Sequence, residues 1–182
     1  MKNINHFKKR ALELGVDKAI VVMPKRDIVF DERSRLLCVN NCWNYGNRMT
    51  CPPNIPNINY EKAVKQYKKG LLIVLDREFK NEKESFRKCK VESTNTLHFI
   101  LLQLEQEAFN EGYSMATSFI GGSCKLCKEC DKSGCRFPKK SRIPMEAVGM
   151  DVIQTVEKYN IDIKFPAEKY EKLKRVGLFL LE

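Results

Sequence analysis

The sequence predicts an α/β fold: about four strands in a sheet flanked by helices, in a single domain over residues 1–182, with two cysteine-rich metal-binding loops. Three observations carry this expectation. Apolar runs of strand length alternate with segments whose apolar residues recur at helical spacing. The run Gly70–Asp76, G-L-L-I-V-L-D, is almost continuously apolar, as the interior of a sheet requires. Seven of the eight cysteines fall in two short segments that show no sustained period.

The elements follow in order. Ile4, Phe7, Ala11 and Leu14 recur at helical spacing and Gly15 sits where a C-cap would, so the chain opens with an amphipathic helix. Ala19–Met23 is a β-branched strand before Pro24, and Asp27–Phe30 either pairs with it or opens a loop. Arg35–Val39 runs into the first cysteine segment. From Cys38 to Asn59 the chain is rich in Asn, Pro, Gly and aromatics, which predicts a long ordered loop of the functional kind. Asn59 as N-cap and Gly70 as stop bound a helix from Tyr60 to Lys69. After the Gly70–Asp76 strand, a long helix from Ser93 carries Leu97, Ile100, Leu101, Leu104 and Ala108 as one stripe and ends at Gly112. Met115–Ile120 is a strand that delivers the chain to Gly121, Gly122 and the second cysteine segment. Glu146–Tyr159 reads as a helix and Val176–Leu181 as a closing strand.

A length of 182 residues suits one domain, and a 43% hydrophobic fraction is ordinary for a globular chain. The first fifteen residues hold no apolar run of signal-peptide length, and the longest apolar stretch, Leu71–Leu75, is far too short to span a membrane. The expectation is a cytoplasmic protein with no membrane association. In that reducing compartment, clustered cysteines are metal ligands or redox centres more often than disulfides.

Cys124, Cys127, Cys130 and Cys135 stand within twelve residues, in G-G-S-C-K-L-C-K-E-C-D-K-S-G-C-R-F-P. A buried cysteine behaves as a small apolar residue and needs no neighbours like itself, whereas thiolates must converge to bind a soft metal or a cluster. C-x2-C-x2-C lets a short loop reach three corners of a [4Fe–4S] cubane. The fourth cysteine follows at C-x4-C, one residue longer than in bacterial ferredoxins, and could serve this cluster or another. Zinc is the chemical rival, but three cysteines at consecutive two-residue gaps fit two separate C-x2-C knuckles poorly. Cys38, Cys42 and Cys51 form the other group, in C-V-N-N-C-W-N-Y-G-N-R-M-T-C-P-P.

The candidate cofactor-binding and metal-ligating residues are therefore Cys38, Cys42, Cys51, Cys124, Cys127, Cys130 and Cys135, holding one or two [4Fe–4S] clusters, with zinc as the alternative. They form either one composite site or two. Two all-cysteine cubanes need eight thiolates, and the groups supply seven; Cys89, alone in a polar setting, reads as an incidental free cysteine. A cluster held by three cysteines would leave one iron open to substrate.

The formal charge is +10, and metal-bound thiolates would lower it. Lys125, Lys128, Lys132, Arg136, Lys139, Lys140 and Arg142 surround the four-cysteine loop. They suit charge compensation of a cluster, docking of an acidic redox partner protein, or attraction of an anionic small-molecule substrate. No recognition helix or aromatic stacking motif supports nucleic acid as a partner. There is no nucleophilic triad, no acid/base dyad and no glycine-rich nucleotide fingerprint. His6 and His98 fall on predicted helices and read as packed or surface side chains. Three functions remain open: electron transfer, an enzyme with an open-iron cluster, and a zinc-stabilised interaction module.

At L-L-C-V-N-N-C-W-N-Y-G-N-R-M-T-C-P-P, G-G-S-C-K-L-C-K-E-C, C-R-F-P and R-I-P-M-E-A-V-G-M-D-V, the chain resembles a prokaryotic family of predicted metal-binding proteins, domain of unknown function 2284. The resemblance spans nearly the whole chain. It implies that the same seven cysteines are the family's metal ligands, and it implies no reaction. Within M-E-A-V-G-M-D-V, Glu146 either accepts a hydrogen bond or a charge near the cluster or is a helix N-terminal residue favoured by the macrodipole, and the second reading is preferred.

Overall fold

The computed structural model describes residues 2–80, 82–164 and 167–182. Its helices are α1 (Ile4–Glu13), α2 (Pro24–Asp27), α3 (Arg33–Asn41), α4 (Tyr60–Val64), α5 (Lys83–Asn110), α6 (Val152–Glu157) and α7 (Ala167–Tyr170). Its strands are β1 (Lys18–Val22), β2 (Lys69–Glu78), β3 (Thr117–Phe119) and β4 (Lys172–Leu181). The four strands form one open sheet in the order β1-β2-β4-β3, with every neighbouring pair antiparallel. The α/β fold with a four-stranded sheet is as expected.

Both faces of this sheet are covered, which explains the uninterrupted apolar run in β2. Leu71, Ile73 and Leu75 point to one side, where Phe7 and Ala11 of α1 and the stripe Leu97, Ile100, Leu101, Leu104 and Ala108 of α5 bury them. Leu72 and Val74 point to the other, against Tyr60, Val64, Met145, Met150 and Val156. On β4, Phe179 and Leu181 join the first core while Val176, Leu178 and Leu180 join the second. Strand alternation thus distributes one hydrophobic segment between two cores.

Several boundaries differ from the sequence expectation, each for a local reason. The long helix starts at Lys83 rather than Ser93. Its first ten residues are mostly Lys, Glu and Arg, strong helix formers that need no buried stripe, and burial begins only at Ser93. Asn59 does cap α4, accepting the Lys62 N–H at 2.8 Å, but the helix stops at Val64. Gly70 is a strand residue paired with Val22 and Leu180, where a Cβ would lie 2.7 Å from the Phe179 carbonyl oxygen. The expected helix over 146–159 is split. Glu146–Val148 makes a single 3-10 turn, Gly149 turns left-handed at φ 89°, and Asp151 caps α6 by accepting the Gln154 N–H. Cys38, placed by sequence in a loop, stands on α3; the irregular stretch begins at Cys42. Among the described residues, no helix is long and apolar enough to cross a membrane.

Candidate metal centre

The four-cysteine loop leaves the sheet through a closed neck. Beyond β3, the Ile120 N–H donates to the Ile143 carbonyl at 3.1 Å, and Met145 N–H returns a bond to the Ile120 carbonyl at 2.8 Å. At Gly121 the backbone lies against β4 so closely that a Cβ would sit 2.2 Å from the Val176 carbonyl oxygen. Gly122 then turns left-handed (φ 73°), and its N–H is shared between both carboxylate oxygens of Glu146 at 3.2 Å. Two glycines are needed here for different reasons, one for close approach and one for handedness.

Past this neck, Cys124 is buried at the edge of the first core, while Cys127, Cys130 and Cys135 are half-buried. The tip is folded on itself. Asp131 accepts the Ser133 N–H at 3.0 Å and hydroxyl at 2.6 Å, and the Cys135 thiol lies 3.5 Å from the Ser141 hydroxyl.

The other three cysteines step inward from the surface. Cys42, at the C-terminal end of α3, is exposed; Cys38 on that helix is half-buried; Cys51 is buried. Short-range bonds hold the segment in place: Gly46 N–H to the Pro52 carbonyl at 2.8 Å, Cys51 N–H to the Arg48 carbonyl at 3.0 Å, and the Asn54 amide to the same carbonyl at 3.1 Å. This is the ordered loop that its composition predicts.

Two residues join the groups. The Arg48 guanidinium, from the three-cysteine segment, donates to the carbonyls of Cys127 and Lys128, each at 2.9 Å, and lies 3.9 Å from Cys130 Sγ. Glu146, whose carboxylate holds the neck of the four-cysteine loop, also adds negative potential at Cys38 and Cys51. Burial raises its own pKa, against the Gly122 N–H and the charge of Arg175. It opens a 3-10 turn, but its carboxylate is committed across the chain rather than to a helix dipole, which corrects the macrodipole expectation.

Burial dominates the thiol titration. The Cys51 thiol is pushed up to about 12 and that of Cys38 to about 11, first by burial and then by neighbouring thiols of the same group. Cys124 is raised likewise by burial, and further by Cys130, Cys127 and Cys135. The cysteines of each group therefore sense one another. As free thiols Cys38, Cys51 and Cys124 are protonated at neutral pH, so a metal that binds them must displace their protons.

Tetrahedral zinc at about 2.3 Å from each sulfur needs sulfurs about 3.8 Å apart. Among the described residues, no three Cys, His, Asp or Glu side chains are gathered to hold a single ion. A cubane instead takes one thiolate on each iron and so spreads its ligands further apart.

The remaining candidates lie apart. Cys89, half-buried on α5, has Arg175, Glu92 and Arg77 as its charged neighbours and, among the described residues, no thiol acting on it. His98 is buried, accepts the Arg142 N–H at 3.3 Å through Nε2, and has its pKa lowered to about 4 by burial and by Arg142. Arg142 is not part of a free basic rim: it forks onto Glu105 beneath the loop. Lys132, Lys139 and Lys140 do remain exposed around it.

Residues 21–181 match the model of a family described as a predicted metal-binding protein (DUF2284). No curated protein and no solved structure gives a significant match to the chain.

Proposed function

The chain belongs to the DUF2284 family of predicted metal-binding proteins, and on that premise we propose that it is a cytoplasmic iron–sulfur protein acting in electron transfer. Cys124, Cys127, Cys130 and Cys135 would hold one [4Fe–4S] cluster, and Cys38, Cys42 and Cys51 a second or the remainder of a composite site. The observation that carries this reading is the contact between the two cysteine segments, made by the Arg48 fork on the carbonyls of Cys127 and Lys128. A [4Fe–4S] group supplies reversible one-electron chemistry whose potential depends on charge, burial and hydrogen bonds to sulfur. Arg48 beside Cys130 and half-buried Lys125 offset thiolate charge, while buried Cys51 and Cys124 keep water away. Exposed Cys42 and its neighbour Trp43 leave an edge that a redox partner can approach. Eight free cysteines suit a reducing compartment.

The second reading, an enzyme with one open iron, is favoured by the first group alone, where a carboxylate, Glu146, acts on two of the three thiols, Cys38 and Cys51, with Arg35 also beside Cys38. The deciding measurement is iron, sulfide and zinc content with absorption and EPR spectra on protein purified without oxygen. About four or eight irons with matching sulfide per chain would support the proposal and set the number of sites. One zinc without sulfide would replace it with a zinc-stabilised module. Spectral change on adding small thiol or carboxylate ligands would favour the enzyme.

A further inference from the structure

We infer that the cleft between the first turns of α5 and the two cysteine segments binds a small, multiply charged organic anion carrying a planar ring, the chemistry of a nucleotide. The cleft encloses about 860 Å³, within the roughly 300–1,000 Å³ typical of single-ligand sites. Six cations face it: Arg48, Lys83, Arg87, Lys90, Lys125 and Lys128, against one carboxylate, Glu82. Among the described residues none of the six is in an ion pair. Arg48 is spent on backbone carbonyls, Lys125 on the Ser123 hydroxyl at 2.8 Å, and Lys90 on a ring face. Such a concentration of like charge is costly unless an anion relieves it, and a partly enclosed cleft focuses the field.

The apolar lining sets the rest of the ligand. Phe79 and Phe86 pack against each other tilted by 43°, 5.0 Å between ring centroids, and Lys90 Nζ lies 4.7 Å over the Phe86 ring. Trp43, opposite on the cysteine segment, is 87% exposed although it lines the cleft. An indole left in water at the mouth of a cationic cleft gains most from a flat ring laid against it. The chain has no glycine-rich phosphate loop, so side-chain cations would read the anionic end and the aromatics the ring. Cys127 in the same wall places the ligand beside the four-cysteine loop. The inference does not depend on which metal that loop holds.

Trp43 is the only tryptophan, so its emission reports on this cleft alone. Protein purified without oxygen, with its metal content measured, would be titrated with ATP at physiological ionic strength, following Trp43 emission and calorimetric heat. Adenosine and inorganic tripolyphosphate serve as ring-only and charge-only probes. The expected result is saturable ATP binding, with each partial probe about tenfold weaker or more, the lower range of what stacking on an aromatic contributes. Lys83→Gln with Arg87→Gln should weaken ATP about fivefold or more at unchanged metal content, and Trp43→Leu, followed by calorimetry alone, should remove the advantage of ATP over tripolyphosphate. The inference is overturned if ATP does not saturate, if tripolyphosphate matches it in the unaltered protein, or if the double variant binds equally well. Metal content measured on each sample keeps failure here distinct from failure of the cluster proposal.

Discussion

Arg48→Met keeps the length and apolar stem of the side chain and removes only the fork onto the carbonyls of Cys127 and Lys128. Both bonds are 2.9 Å, and a hydrogen bond to a charged group contributes about 1.5–3 kcal/mol net. Arg48 is half-exposed, so solvent screening places the pair near 2–3 kcal/mol in total. This energy is local. It should appear as easier opening of the loop over residues 121–143, not as loss of the sheet. At about 1.4 kcal/mol per tenfold, amide exchange in that loop should accelerate about 30- to 150-fold in metal-free protein. Amides of α5 between Leu97 and Ala108 should keep their protection. Hydrogen–deuterium exchange resolved by peptide reads both regions in one experiment. Arg48→Lys retains the charge but not the planar fork and should recover less than half of the protection. Loop exchange accelerated by less than about threefold in Arg48→Met would refute the idea that this residue binds the two segments together.

Other perturbations test the neck, the thiols and the count of sites. Gly121→Ala forces a Cβ to 2.2 Å from a backbone oxygen; overpacking of about 3 kcal/mol should lower Tm by roughly 6–12 °C. Gly112→Ala is the comparison, with open space but φ 93°, and should cost only the 1–2 kcal/mol of left-handed strain; an equal or larger loss there contradicts the contact at Gly121. Glu146→Gln removes the negative charge near Cys38 and Cys51, so both thiols should alkylate faster at a fixed pH near 9, and unchanged rates would place the carboxylate too far away. In metal-free protein Cys38 and Cys51 titrate near 11 and 12 when folded but near 9.0 when unfolded. The unfolded chain then loses protons first, so chemical denaturation should show stability intact below pH 9 and falling from there toward 12. Cys51→Ser and Cys127→Ser should remove equal amounts of metal from a composite site and separate fractions from two independent sites.

The parts of the fold that sequence made legible are those where burial imposes a period. The β2 run and the α5 stripe from Leu97 to Ala108 were each specified by two-sided or one-sided packing, and Asn59 declared its cap through its side-chain chemistry. The first ten residues of α5 were not legible, because a solvated helix has no apolar period to detect. Gly149 broke an expected helix where one residue's handedness outweighed the propensities around it. At the candidate centre, spacing marks the cysteines as candidates because ligands carried on one short loop lie close along the chain. Arg48 and Glu146 act across 79 and 24 residues of chain, and nothing adjacent to either marks such a partner. The cleft is a product of packing between α5 and two loops, and its cations read in sequence as ordinary solvated lysines and arginines.

Helix α5 is a single rod with two unequal halves. From Ser93 onward it is fixed to the sheet, whereas Lys83 to Glu92 contains no buried residue and its N-cap Glu82 offers no side-chain bond. Substitutions in that outer third leave the interior untouched, so its charges and rings can change over generations while the scaffold endures. Two descendants of such a chain could share every cysteine and every core contact and yet respond to different small molecules, with their divergence written in three turns of one helix.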